Sequence, residues 1–213
     1  MDKLAPPSSS SRNFEITSSN SASLSNDVDI NKPEALSKFL EMDAFGQNSN
    51  FVVAQQNECA QLKPGDKGRI LLFPHISLCL GIAFHSRETD TWYALHATLN
   101  DRSGPIDSFH HISTESNGFE CDKLVLINAP DVVGNRRLRE NDTDQIARGM
   151  LGLAGGRFEG QTTHIGCSFT KSFDTRRSSI NDEERRQIML VPEAHSIYLF
   201  SENGQHLSTH EIN

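Results

Sequence analysis

The chain has 213 residues, a net charge of −8 and a pI of about 5.5. Such an acidic chain lacks the Lys/Arg fields that bind phosphate backbones or anionic lipid, so we expect no nucleic-acid partner. It contains no apolar run of 18 residues and no apolar stretch at the N-terminus, so we expect neither a membrane span nor a standard secretory signal peptide. The four cysteines form no CxxC pair, which favours reduced thiols over a zinc ribbon.

Residues 1–30 differ in composition from the rest of the chain. Serine and asparagine dominate this segment, and its apolar residues are isolated. A segment of this kind buries too little surface to offset its ordering entropy, so we expect a disordered N-terminal segment. It is either a plain linker or a non-cleaved export signal of the kind that injected bacterial effectors carry. Residues 31–213 are expected to form a single catalytic domain.

The first half of that domain is predicted to hold one helix and four strands. The helix begins at Pro33, with apolar residues at helical spacing behind it. Strands are expected at 51–55 and 69–73, separated by the turn "KPGDKG", and a hairpin follows at 78–97.

The second half is predicted to alternate strands with one helix. We expect a polar loop at 100–118, a strand at 122–128, a helix in "NDTDQIARGMLGLAGG" and a strand at 163–169. A final hairpin has its turn at Asn203-Gly204. Together these elements predict an α/β (α+β) sandwich, a single domain with an antiparallel-rich mixed sheet and flanking helices.

The hairpin at 78–97 carries a cysteine and, seventeen residues later, a histidine. Side chains alternate along a strand, so Ser77, Cys79, Gly81 and Ala83 share one face and the bulky residues share the other. We expect the bulky face to pack in the core and the small face to leave room for a molecule to approach Cys79.

The register of the hairpin decides whether Cys79 and His96 meet. If Ser86 pairs with Thr89, Cys79 lies directly opposite His96, with Cβ atoms roughly 4.5–5.5 Å apart. A register that differs by two keeps both on one face as diagonal neighbours, whereas a slip by one separates them. A paired imidazole can hold a thiolate–imidazolium pair that attacks an amide carbonyl. The alternative is a buried, inert Cys–His pair.

The residues "ISLCLGIAF…TWYALHATL" resemble the chemoreceptor glutamine deamidase family, CheD, in which a cysteine strand is followed by a histidine strand at this interval. "VLINAPDVVGNRRLRENDTDQIARGML" and "DTRRSSIN" are more weakly similar to later parts of the family. The resemblance covers about residues 65–200. It implies Cys79 as the nucleophile, His96 as the base and a protein glutamine side chain as the substrate, without a cofactor.

The same core resembles that of bacterial deamidase toxins such as the cytotoxic necrotizing factors, which have a Ser-Gly-Cys motif. Ser77 matches their serine, two residues before Cys79. The chain departs from CheD because the threonine expected six residues before the cysteine is Phe73 here. Ser77 is therefore our first candidate for the third catalytic group, and Thr98, on the His96 face of its strand, is the second.

Several functions stay open beside the predicted glutamine deamidase. The long Ser/Asn-rich N-terminus favours a monomeric bacterial effector or toxin, injected into host cytoplasm to act on a host protein, over a housekeeping deamidase in the bacterial cytoplasm. A cysteine protease would use the same pair. A metal-dependent hydrolase would use Cys79 and His96 with His75 or His85 as ligands. An interaction module that has kept the fold is the non-enzymatic alternative.

Overall fold

A computed structural model of the chain describes residues 30–41, 51–66, 70–77, 79–98, 120–128, 145, 147–149, 151–152, 156–166 and 185–213. The helix α1 and the ten strands within these ranges are α1 Pro33–Glu41, β1 Phe51–Val53, β2 Glu58–Leu62, β3 Ile70–Ile76, β4 Cys79–Ser86, β5 Thr91–Thr98, β6 Glu120–Asn128, β7 Arg157–Gly166, β8 Arg186–Val191, β9 Ser196–Ser201 and β10 His206–Glu211. A 3-10 turn, Pro192–Ala194, joins β8 to β9, and residues 145, 147–149 and 151–152 are helical.

The strands form two five-stranded sheets. The first has the order β1-β3-β8-β9-β10 and the second has the order β2-β5-β4-β6-β7. The pairs β1–β3 and β6–β7 are parallel, and the other described pairs are antiparallel. The chain passes from the first sheet to the second twice, between β1 and β2 and again between β3 and β4.

Three buried clusters show how the sheets stack. One lies between the sheets and includes Phe73 and Ile188 of the first sheet and Val125 of the second. A second cluster covers the outer face of the first sheet, where Leu36 of α1 packs. The third covers the outer face of the second sheet, where Ala147 and Leu151 of the second helical segment pack. Each sheet is therefore buried on both faces, and its inner strands read as continuous apolar runs.

The predicted class, an α+β sandwich with mixed, mostly antiparallel sheets, is confirmed. The described helices are few and short. Three predicted strands, β3, β6 and β7, are longer than predicted or begin earlier than predicted, and β2 was not predicted. The hairpin turn at Asn203-Gly204 is present, with Gly204 at φ 82°, the left-handed region that glycine adopts at low cost.

The predicted N-terminal segment lies outside the described residues except for Ile30, which packs against the outer cluster of the first sheet. The predicted loop at 100–118 also lies outside them. Within the described part of the chain, no helix is long and apolar enough to cross a membrane.

Candidate functional site

The β4–β5 hairpin places Cys79 and His96 on the same face as diagonal neighbours. Its register pairs Cys79 with Thr98, Gly81 with His96 and Ser86 with Thr91. The strands are thus joined by four residues, Arg87–Asp90, rather than by the two that direct opposition requires. Asp90 adopts φ 49° in this turn. Diagonal neighbours have Cα atoms roughly 7–8 Å apart, within reach of a long side chain such as histidine.

The shared face of Cys79 and His96 looks into the core between the two sheets. Cys79 is 7% exposed and His96 is 2% exposed. Ala83, two residues beyond Gly81 on this face, belongs to the same inter-sheet cluster as Cys79. The expectation that only the bulky face packs in the core is wrong, because the first sheet covers the small face as well. The first sheet therefore blocks a direct approach to Cys79 across this face.

His96 is fixed by a backbone carbonyl in the crossing between β1 and β2. Its Nδ1 lies 3.1 Å from the carbonyl oxygen of Ala54, the residue that follows β1. Ala54 is itself held, since its N–H donates to the carbonyl of Leu72 over 2.8 Å. Asn57, at φ 63°, donates its N–H to the His96 carbonyl over 2.6 Å. Ring and backbone of His96 are both tied to the segment between β1 and β2.

These contacts define the tautomer of His96. A carbonyl oxygen only accepts, so Nδ1 carries the hydrogen and Nε2 presents its lone pair. Nε2 is buried and has no hydrogen-bond partner among the residues that the structure describes. Burial lowers the pKa of His96 to about 4; the Ala54 hydrogen bond partly opposes this shift, and the electrostatic interaction with His75 adds to it. The imidazole is therefore neutral at pH 7, in the form that a general base needs.

Cys79 is also neutral at rest. Burial raises its pKa, and a hydrogen bond from the backbone of Ser77 acts in the opposite direction. Burial raises the pKa of Cys59 to about 12, and burial together with Asp122 raises that of Cys121. Of the three described thiols, only that of Cys79 has a backbone donor that favours its thiolate. Burial therefore favours the neutral forms of both groups over a thiolate–imidazolium pair.

The two candidates for a third catalytic group lie close to the pair along the backbone. Ser77 is 8% exposed and lies in the crossing between β3 and β4. The backbone of Thr98 pairs with that of Cys79, and the Thr98 side chain is not among those that the structure describes. The group that holds the His96 ring is instead the carbonyl of Ala54, which the sequence did not single out. An alanine after a short strand gives no signal for this role, because every residue has a carbonyl.

His75 and His85, the other two predicted ligand candidates, do not form a metal site with Cys79 and His96 in the described part of the chain. His85 lies six residues from Cys79, about 20 Å along the strand. Its Nδ1 is 2.6 Å from Asp122 Oδ1, and its Nε2 is 3.0 Å from Asp90 Oδ1. His75 lies 2.6 Å from Glu202 through Nδ1. Within the described ranges, no group of three or more His, Cys, Asp or Glu side chains is placed to hold a metal ion.

The described thiols of Cys59, Cys79 and Cys121 are free, whereas Cys167 lies outside the described residues. Comparison with known proteins adds no relative to this picture. The chain matches no protein-family model, and a search of curated proteins finds no match.

Proposed function

We propose that the protein is a cysteine-dependent protein glutamine deamidase in which Cys79 is the nucleophile and His96 the base. The observation that carries this proposal is the state of His96: a neutral imidazole, fixed at Nδ1, whose buried Nε2 has no hydrogen-bond partner in the described part of the chain and lies on the same sheet face as a thiol. A structural histidine in a core has both nitrogens hydrogen-bonded as a rule, since a buried unpaired acceptor costs about 1–3 kcal/mol. An acceptor left unpaired beside a thiol fits a proton-transfer role.

The reaction runs through a thioester. As the glutamine carboxamide enters, the Cys79 thiol gives its proton to His96 Nε2 and the sulfur bonds to the carboxamide carbon. His96 then returns the proton to the nitrogen, the C–N bond breaks and ammonia leaves. Water attacks the thioester while His96 accepts its proton, and the acyl–sulfur bond breaks to give glutamate and the free thiol. Backbone N–H groups beside Cys79 stabilise the oxyanion, a contribution typically worth about 10²–10³ in rate.

Burial of the pair supports a side-chain substrate. Cys79 is only 7% exposed and is flanked by core residues of both sheets. A thin glutamine side chain fits such an approach, whereas an extended backbone needs a groove on both sides of the scissile bond. The function that we propose is therefore deamidation rather than proteolysis.

The setting that we propose is a bacterial effector that acts on a host protein. Its support is the long Ser/Asn-rich segment at residues 1–30, whose composition fits an export signal of the kind that injected effectors carry as well as a plain linker. A housekeeping deamidase remains the second candidate for the setting, and the chemistry at Cys79 is the same in both.

The test compares four proteins: wild type, Cys79→Ser, His96→Ala and the control Cys59→Ser, which removes a thiol elsewhere on the second sheet. Each is expressed in eukaryotic cells, and the proteome is searched by mass spectrometry for Gln→Glu conversion. Wild type and Cys59→Ser should convert the same glutamine, and Cys79→Ser and His96→Ala should each convert none. Near-normal conversion by folded Cys79→Ser would refute the assignment of the nucleophile.

A further inference from the structure

A backbone irregularity lies in β3, immediately before the crossing that leads to Cys79 at the start of β4. On β3, Phe73 pairs with Ile188 and Ile76 pairs with Arg186, so three steps along β3 match two along β8. One extra residue is therefore inserted into β3, which is a β-bulge. Within it His75 adopts φ 55°, the left-handed region that a non-glycine residue enters only when its surroundings impose it.

The bulge changes which face the end of β3 presents. Phe73 and Ile76 are three residues apart, so unbroken alternation would place them on opposite faces. Both are fully buried in the cluster between the sheets, because the extra residue shifts the phase. The chain thus leaves the first sheet with Ile76 turned inward, and it enters the second sheet at Cys79 only three residues later.

Three side chains hold the bulge from the side of the first sheet. Gln187, which is 1% exposed, accepts the backbone N–H of His75 at Oε1 over 3.3 Å. Its Nε2 donates to Glu202 Oε2 over 3.1 Å. Glu202 Oε1 in turn lies 2.6 Å from His75 Nδ1. The contacts close a ring across β3, β8 and the residue after β9.

A buried glutamine that serves a backbone N–H and a carboxylate at once is a costly choice for a sheet position. Its neighbours on β8 are Ile188, Met189 and Leu190, all fully buried. An apolar residue would pack at position 187 without a desolvation cost, but it would leave the His75 N–H without this acceptor. The polar ring therefore serves the conformation of His75 rather than the packing of β8.

We infer that His75, Gln187 and Glu202 are positioning residues for Cys79. They hold the bulge, the bulge sets the path of the Ser77 backbone into β4, and that path brings a backbone donor to the Cys79 thiol. The inference deepens the proposed function, since it concerns the same nucleophile, but it is measured on the thiol itself and needs no substrate. The hydrogen bond from Ser77 that favours the thiolate of Cys79 is the link through which the ring acts.

The experiment is site-resolved alkylation of the folded full-length chain by iodoacetamide at pH 8, with each cysteine quantified by mass spectrometry. Gln187→Leu keeps a side chain of similar size and removes the hydrogen bonds that Gln187 makes to His75 and Glu202. It should slow alkylation of Cys79 by about threefold or more, as expected when a thiolate loses one hydrogen-bond donor. Cys59 and Cys121 in the same molecule serve as internal controls, and their rates should not change.

Two further pairs of variants separate positioning from general stability. Glu202→Ala should slow the alkylation of Cys79. Glu211→Ala, which removes an exposed carboxylate from β10, should leave that rate unchanged. His75→Asn loses the Glu202 contact but tolerates the left-handed region, so it should slow alkylation of Cys79 less than the β-branched His75→Val, which loses both.

An unchanged rate of Cys79 alkylation in Gln187→Leu and Glu202→Ala would overturn the inference. Faster alkylation of Cys59, Cys79 and Cys121 together would also overturn it, because the polar ring would then only stabilise the fold as a whole. If these rates change as expected while wild-type protein deamidates no glutamine, the proposed function fails and the positioning role stands.

Discussion

Acidification should destabilise the protein through His96, by an amount that follows from its burial. In the unfolded chain the histidine pKa is near 6.5, whereas burial lowers the folded value to about 4. Between these values the unfolded state binds more protons, so stability is present above pH 6.5 and is lost as the pH falls towards 4. The full loss is about 3 kcal/mol, and most of it is expressed by pH 4.5.

The assay is urea unfolding of wild type and His96→Gln at pH 7.5 and pH 4.5. Glutamine can still donate to the Ala54 carbonyl, but it does not titrate. The other eight histidines and all carboxylates are common to both proteins, so they cancel in the double difference. Wild type should lose about 2–3 kcal/mol more than the variant. A double difference near zero would show that His96 is solvated when folded, and the claim of a buried neutral base would be wrong.

Three other outcomes are expected. Gly160→Ala should lower the Tm by several degrees, since an added Cβ would lie 1.8 Å from the Asp122 carbonyl oxygen, whereas Gly166→Ala on the same strand meets nothing within 4 Å; equal Tm values in calorimetry would contradict this. Deletion of residues 1–29 should leave the Tm nearly unchanged, and a loss of many degrees would show that this segment stabilises the domain. With a fluorescent primary amine, the enzyme should give mainly deamidation, weak amine incorporation and no fragments; fragments that disappear in Cys79→Ser would instead indicate a cysteine protease.

Local patterns predicted most of the strands, and the exceptions have physical reasons. Asn203-Gly204 marks its turn because few residues tolerate a positive φ there. β2, "ECAQL", gave no signal, because it is a short, partly exposed strand in which the polar residues Glu58 and Gln61 break the apolar pattern. The first half of β7 was missed for a similar reason: Arg157–Gln161 is mostly exposed and polar. These strands form through pairing with neighbours distant in sequence, not through their own periodicity.

The site was predictable only in part, because its geometry depends on a turn and on a second sheet. Alternation placed Cys79 and His96 on one face in either of two registers, but the four-residue turn that selects the diagonal one depends on Asp90 in the left-handed region. Burial of that face by the first sheet has no local signature. The carbonyl of Ala54 could not be found at all, because backbone acceptors are not encoded by residue type.

The two crossings from the first sheet to the second hold the backbone groups that act on Cys79 and His96. One crossing supplies Ala54, which fixes the His96 ring, and the other supplies Ser77, whose backbone favours the Cys79 thiolate. Both lie at the same end of the sandwich, since Glu58 at the start of β2 pairs with His96 and Gly81 near the start of β4 pairs with it from the other side. The tautomer of the base and the ionisation of the thiol are thus set by two separate segments. A β4–β5 hairpin without either crossing would retain the spacing of Cys79 and His96 but lose the groups that tune them.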